Sequence, residues 1–409
     1  MKFHPAWVHT AAFLDLLAVS LIIPLMSPYL RQLGASHFFI GLTGSVYAGA
    51  QLISGPIIGS WSDTIGRQKI FITCLAVCAV CYSVLGWIHT LYTILLLRII
   101  IGIFKQTQVF LRIIVADRIP QNQQSLESGR LSAISGMGFI VGPVIGGHLA
   151  EFENGYLYLG WCISIIFAIN IAIAYLVFDD LPRTNTIEKN VSSSQTKLQN
   201  LHNNVIKAIR NLTNVDWLTY WDVFILKFLL AIAFSVFISN YTLRIQEKYD
   251  VTPKWVGYTI SLQGLFGTLA GFTTGWIDRK FYQNDLDYKR RNAHGFAIMT
   301  ICFLGNITAS NLTIFMLWMI PLRISTSFLR VIETNMILKR CLPSQRGSIL
   351  GAMHSMTNVA RLVAPLLAGI MDDYYGSNGA SFVAAILTII GIPIAMRVKH
   401  IEYKDLKTS

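Results

Sequence analysis

Long apolar stretches recur along the whole chain, separated by short polar segments. A helix that crosses a bilayer needs roughly 20 mostly apolar residues. Twelve stretches approach that length, near 7–30, 38–60, 70–88, 91–113, 130–150, 157–178, 219–243, 255–277, 294–309, 312–334, 347–371 and 378–398. The longest polar interruption runs from Asp179 to about Leu218. It opens with the linker-like run DDLPRTNTIEKNVSSSQTK and continues with Leu198, Leu201, Val205, Ile209 and Leu212 at helical spacing. That spacing predicts an amphipathic helix on the membrane surface or against the bundle. The expected architecture is an all-α membrane protein of twelve transmembrane helices. Residues 1–178 and 219–409 form two six-helix bundles, the second with a short cytoplasmic tail, and 179–218 is a cytoplasmic linker.

Composition agrees with this pattern. Of 409 residues, 53% are hydrophobic and 13% charged, whereas a soluble globule carries about 25% charge. The net charge of +12 does not point to nucleic acid, because the basic residues cluster between the apolar segments, where they set topology. Arg67, Lys69, Arg118, the 189–210 linker, Lys280, Lys289–Arg291, Lys339–Arg346 and Arg397–Lys407 fall on one side of the membrane. Both termini are therefore expected in the cytoplasm, and no sorting signal distinguishes the plasma membrane from an internal one. Cys74, Cys78 and Cys81 share one face of one apolar helix and read as core packing. Cys78 and Cys81 have CxxC spacing but no histidine partner, and no HExxH, GxSxG or GxxxxGK[ST] occurs, so no metal, cofactor, enzymatic activity or ATP hydrolysis is expected.

The charged residues inside the apolar stretches carry the chemistry. Arg98, Lys105 and Arg112 lie seven apart in LLLRIIIGIFKQTQVFLRIIVAD, and Arg323 and Arg330 lie seven apart in RISTSFLR. In a helix that interval is close to two turns and puts them on one face. Each would cost roughly 2.5–3.5 kcal/mol facing the bilayer centre, so that face is expected to look into a bundle or a watery cavity. Asp15 and Glu333 are the buried carboxylate candidates. Desolvation and nearby cations pull a carboxylate in opposite directions. Asp15 therefore has two open readings, a proton-carrying group or a static ion pair with Arg98 or Lys227. The cations outnumber the carboxylates, which suggests an anionic solute held by charge-assisted hydrogen bonds. The competing reading is that the arginines brace the two halves.

The halves echo each other. FIGLTGSVYAGAQLISGPIIGSWSD pairs with WVGYTISLQGLFGTLAGFTTGWID, matching Gly41, Gly55 and Gly59 to Gly257, Gly271 and Gly275. Arg98 and Lys105 match Arg323 and Arg330, Asp63 matches Asp278 with a one-residue slip, Pro143 matches Pro365, and Gly147 matches Gly369. Repeated halves with a solute site between them are a transporter design.

The segment GSWSDTIGRQK, with Gly59, Asp63, Gly66, Arg67 and Lys69, resembles the signature loop of the major facilitator superfamily; Thr64 stands where that pattern has a basic residue. DLLAVSLIIPLMSP, Arg98 with Gly102, and GMGFIVGPVIGG with Gly138, Gly142, Pro143, Gly146 and Gly147 resemble motifs of its drug:proton antiporter branch. GIFKQTQ and NVARLVAPLLAG are similar to the family of major facilitator superfamily domain-containing protein 9, which implies no particular solute.

The resemblance implies that helices 1, 4, 7 and 10 line a cavity. Asp15, Arg98, Lys105, Arg323, Arg330 and Glu333 would then serve substrate or proton coupling. Asp63 would accept from Arg112 or Arg118, or cap the start of helix 11, in one of two conformations, with Gly59, Gly66 and Arg67 shaping that gating loop. Gly138, Gly142, Pro143 and Gly146 would serve close helix packing and bending. The expected activity is secondary transport of a small organic solute, anionic and proton-coupled, by a monomer in the bilayer. The alternative is a sensor or scaffold with a transporter fold that moves nothing.

Overall fold

The computed structural model describes residues 5–177, 217–341 and 346–398. Among them the secondary structure is helical, with no strand: α1 (Pro5–Gln32), α2 (His37–Ile65), α3 (Arg67–Leu85), α4 (Leu91–Phe104), α5 (Thr107–Arg118), α6 (Gln121–Ala150), α7 (Gly155–Val177), α8 (Trp217–Ser239), α9 (Tyr241–Tyr249), α10 (Pro253–Phe281), α11 (Lys289–Thr308), α12 (Leu312–Arg340), α13 (Arg346–Tyr375) and α14 (Gly379–Met396). These account for the twelve predicted spans. Two spans are interrupted: the fourth is α4 plus α5 and the seventh is α8 plus α9. Eight stretches of described helix are long and apolar enough to cross a membrane, so the chain is a multi-pass membrane protein. The amphipathic helix expected at Leu198–Leu212 lies outside the described residues.

The chain divides into two units. Of the described residues, the first unit holds 5–34, 46–177 and 251–261, and the second holds 35–45, 217–250, 262–341 and 346–398. Each unit therefore takes one short piece, the start of α10 or the start of α2, from the opposite sequence repeat. Within the first unit α1 packs on α6 and α7, and α3 on α7. Within the second, α8 packs on α13 and α14, and α11 on α14 and α12. Counted by spans, first on fifth and third on sixth in one repeat correspond to seventh on eleventh and ninth on twelfth in the other.

Small residues bring these helices close. A Cβ at Gly138 or Gly146 would collide with the backbone of α1 at Phe13 and Leu21, and one at Gly142 with the Ser20 hydroxyl. Ser20 donates to the Gly138 carbonyl at 3.0 Å. Such contacts replace the hydrophobic drive that lipid cannot supply between helices. Large apolar side chains fill the remaining interior: Phe71, Tyr82, Phe110 and Phe167 in the first unit, Phe224, Phe237, Phe303 and Phe315 in the second, all essentially unexposed.

The matched residues of the repeat meet crosswise. In the second unit a Cβ at Gly41 would strike the Pro365 carbonyl, and one at Gly369 the His37 carbonyl. In the first unit a Cβ at Gly257 would strike the Pro143 carbonyl, and one at Gly147 the Pro253 carbonyl. Two seams result, α2 on α13 and α10 on α6, each built from the same glycine–proline correspondence.

Candidate functional site

The interruption of the fourth span organises the polar site of the first unit. Lys105 leaves the helical region, with φ −78° and ψ 58°. Its N–H still closes on Ile101 at 2.8 Å, and the Gln106 N–H turns back to Phe104. No proline or glycine lies at the break, so tertiary contacts hold it open. Gln51 on α2 donates its side-chain amide to the freed Lys105 carbonyl at 2.8 Å. Gln106 returns the favour, donating to the Gln51 carbonyl at 2.8 Å and to Ser54 at 3.0 Å. Backbone groups at membrane depth must be satisfied within the protein, and these amides do so.

Asp15, on α1, is fully buried at this break. Lys105 Nζ donates to its Oδ1 in a short ion pair. Thr107 Oγ1 donates to the same oxygen at 2.8 Å, and Gln108 Nε2 to Oδ2 at 2.8 Å. The carboxylate therefore sits at the N-terminus of α5, where unpaired N–H groups and the helix dipole favour negative charge. Of the two readings of Asp15, the ion pair is the one drawn by the geometry. Its partner is Lys105, and not Arg98 or Lys227, because the broken helix lets Lys105 turn toward α1.

The same break separates Lys105 from Arg112. Arg98 and Lys105 are buried, at 9% and 6% exposure, while Arg112 is exposed. The seven-residue interval does not place all three on one face, because α4 and α5 are not one helix. Arg98 stacks over the Tyr47 ring at 4.3 Å from its centroid. Its Nε and Nη1 have no hydrogen-bond partner among the described residues. A buried guanidinium left this way is costly.

In the second unit the tenth span, α12, is unbroken through Arg323, Arg330 and Glu333. Arg323 makes one long hydrogen bond, Nε to the Gln263 carbonyl at 3.4 Å, and lies 5.1 Å from the Phe234 ring centroid. Arg330 is exposed. Glu333 is fully buried, and Lys227 Nζ on α8 lies 3.4 Å from its Oε2. Neither Glu333 oxygen has a well-formed hydrogen bond among the described residues. The two carboxylates thus differ sharply. Asp15 accepts three donors, whereas Glu333 has a looser ion pair with Lys227 at 3.4 Å and Arg330 as a second nearby cation.

In the loop between α2 and α3, Gly66 adopts φ +119°, a conformation open to glycine and closed to most L residues, so a single residue joins the two helices. Gly59 faces open space. The side chain of Asp63 lies outside the described residues. Arg67 forms a short ion pair with Asp117 near the end of α5. In the second repeat, Arg291 at the start of α11 pairs with Asp278, donates to the Tyr282 carbonyl at 2.8 Å, and its backbone N–H reaches Asp285 at 2.9 Å. The Asp222–Arg340 pair joins α8 to α12 at 2.7 Å, with both side chains nearly unexposed.

Tyr47, Thr107, Gln108 and Gln51 were not among the residues singled out from sequence. The signal that could have found two of them, Thr107 and Gln108, was the polar run Lys105-Gln106-Thr107-Gln108, four hydrogen-bonding side chains in succession inside an apolar stretch.

The profile of the Major Facilitator Superfamily matches residues 8–305 and 293–409. Quinolone resistance protein NorA of Staphylococcus aureus (strain MSSA476) is 25% identical over 389 residues, covering 92% of this chain and 94% of that protein. Among solved structures, the human organic anion transporter MFSD10 aligns with a TM-score of 0.65 at 19% identity, over 96% of this chain and 98% of that one. A bacterial homolog to the human lysosomal transporter Spinster, in an inward-facing and unoccupied conformation, aligns with a TM-score of 0.77 at 14% identity, over 96% of each chain.

Proposed function

Because this chain belongs to the Major Facilitator Superfamily, a superfamily of secondary transporters of small solutes, we propose that its own cargo is a small organic anion moved with protons. The observation that carries this reading is Arg98. Its guanidinium is nine-tenths buried, braced on Tyr47, and holds two nitrogens without a hydrogen-bond partner among the described residues. An incoming carboxylate or similar anion would satisfy those donors, and the planar fork of arginine suits such a group. Lys105 is already taken up by Asp15, so Arg98 is, among the described residues, a buried cation of the first unit left for a solute. Arg323, with its single long hydrogen bond, is the corresponding cation of the second unit. The name of MFSD10, an organic anion transporter, agrees with this choice of cargo.

Proton coupling is assigned to Glu333 in preference to Asp15. Protonating Asp15 would forfeit an ion pair and the negative charge at the start of α5. Protonating Glu333 disturbs one loose contact with Lys227 at 3.4 Å. Asp15 then keeps the broken span in register, and Glu333 exchanges the proton. Both termini are assigned to the cytoplasm on the distribution of basic residues, with residues 1–178 and 219–409 as the two bundles and 179–218 as the linker.

The test is uptake of a panel of labelled organic anions, cations and neutral solutes into proteoliposomes under an imposed pH gradient. Anion uptake driven by the gradient is expected. Arg98→Ala should reduce it by tenfold or more, which corresponds to about 1.4 kcal/mol or more, and Arg98→Lys should restore part of it. Glu333→Gln should abolish the dependence on the gradient. Flux of cations alone, or Arg98→Ala protein that transports normally, would overturn the anion reading. Absence of flux for every solute, with a ligand still bound, would favour a sensor.

A further inference from the structure

The start of α2 carries a polar cluster that the transport reading does not use. His37 is the first residue of that helix and is 8% exposed. Its Nδ1 lies 3.0 Å from Asp373 Oδ1 on α13, and its Nε2 lies 3.1 Å from Glu247 Oε2 on α9. Asp373 also caps the helix. It accepts the backbone N–H of His37 at 3.1 Å on Oδ1 and that of Phe38 at 2.9 Å on Oδ2. One carboxylate thus satisfies two orphan donors of α2 from a different helix, with its charge placed at the favourable end of the dipole.

A neutral imidazole has one N–H and one acceptor nitrogen. Ionised carboxylates only accept. Two carboxylates facing the two ring nitrogens leave one contact repulsive unless both nitrogens carry hydrogen. We propose that His37, Asp373 and Glu247 form a proton-dependent latch, closed by the imidazolium and loosened when that proton leaves. The latch fastens the start of α2 to α9 and α13 within the second unit, while α2 itself continues past Ser45 into the first. Its release frees one end of a helix that runs through both units, so proton concentration on that side of the membrane would tune how readily α2 moves.

The surroundings support a proton and not a metal ion as the switching species. Nδ1 and Nε2 point to opposite edges of the ring, so Asp373 and Glu247 cannot converge with His37 on one ion. Three other charged groups of the packed elements, Arg244, Lys248 and Asp372, have partners of their own. On α9, Arg244 donates to Ser381 and to the Phe237 carbonyl, both at 3.1 Å. Lys248 donates to the carbonyls of Asn306 and Ile307 and to Asn378. On α13, Asp372 accepts from Asn240 at 2.9 Å and from the Ala380 N–H at 2.8 Å. Arg31, near the end of α1, is the nearest cation in sequence. Beside the latch, the Leu366 N–H reaches Ser45 Oγ at 3.2 Å, so the seam extends along two turns of α2.

Hydrogen exchange of the full chain in lipid nanodiscs, corrected for intrinsic rates, tests this. Peptides covering 37–45 should be protected about tenfold or more at pH 5.5 relative to pH 9, the size expected for a charge-assisted hydrogen bond. His37→Gln should exchange at one rate at both pH values. Glu247→Gln retains the Asp373 cap, and should lose protection at a lower pH than the unaltered protein. A flat profile for the unaltered protein, or a pH response that survives in His37→Gln, would overturn the latch. Should His37→Gln fail to fold, an unshifted profile in Glu247→Gln would overturn it equally. None of these readings requires a transported solute, so the latch and the anion assignment fail separately.

Discussion

The two seams were built from one repeat and closed by different chemistry. In each, a glycine of one repeat lies on the proline carbonyl of the other: Gly41 on Pro365, and Gly257 on Pro143. In each, a histidine lies near the seam. His148 on α6 meets the Tyr258 hydroxyl at 2.8 Å. A hydroxyl can donate or accept, so that contact is satisfied whether the ring is neutral or charged. His37 instead faces two carboxylates at 3.0 and 3.1 Å, and only the charged ring satisfies both. Burial widens the gap, since His37 is 8% exposed and the His148 contact lies at the surface. Equivalent backbone packing therefore coexists with unequal response to protons. What a histidine does is set by what its partners can give and take.

The packing half of this comparison is the easiest to break. Gly41→Val and Gly257→Val each push a side chain into a backbone carbonyl, and each should destabilise by about 1–3 kcal/mol, read as a fall in melting temperature in nanodiscs. Similar losses are expected; a tolerated valine at either position would show that the seams are not equivalent. The proton half is sharper in kind and smaller in size. At pH 5.5, His37→Gln should cost about 1.5 kcal/mol or more, the value of a charge-assisted hydrogen bond. His148→Gln should cost less and leave the pH profile of melting unaltered. The smallest effect is expected at Thr252, whose hydroxyl donates to Glu151 at 2.6 Å in an exposed position. Thr252→Val should change stability by no more than about 0.5 kcal/mol, equally at both pH values.

A second comparison separates the fourth span from the tenth. The repeat aligns Arg98 and Lys105 with Arg323 and Arg330, and an unbroken helix is what their spacing suggests in both. α12 is continuous through its pair. The fourth span is broken at Lys105 and Gln106, because Asp15 on α1 and Gln51 on α2 offer that segment better partners than its own backbone. The apolar runs and their lengths were legible because bilayer thickness leaves few alternatives. The buried cations were legible because hydrocarbon excludes them. The fate of each cation was not: Lys105 is spent on Asp15 and Arg98 is left with open donors, a distinction that depends on residues some ninety positions apart.

The chain's hydropathy and its repeated glycines and prolines were enough to establish a twelve-span membrane protein with duplicated halves. Those properties follow from local length and composition, which one residue after another supplies. Tertiary structure alone decided that Lys105 leaves its helix for Asp15, that Arg67 meets Asp117, and that His37 sits between Asp373 and Glu247. A buried polar group takes whichever partner the folded chain brings within about 3 Å, and no period in the sequence encodes that meeting.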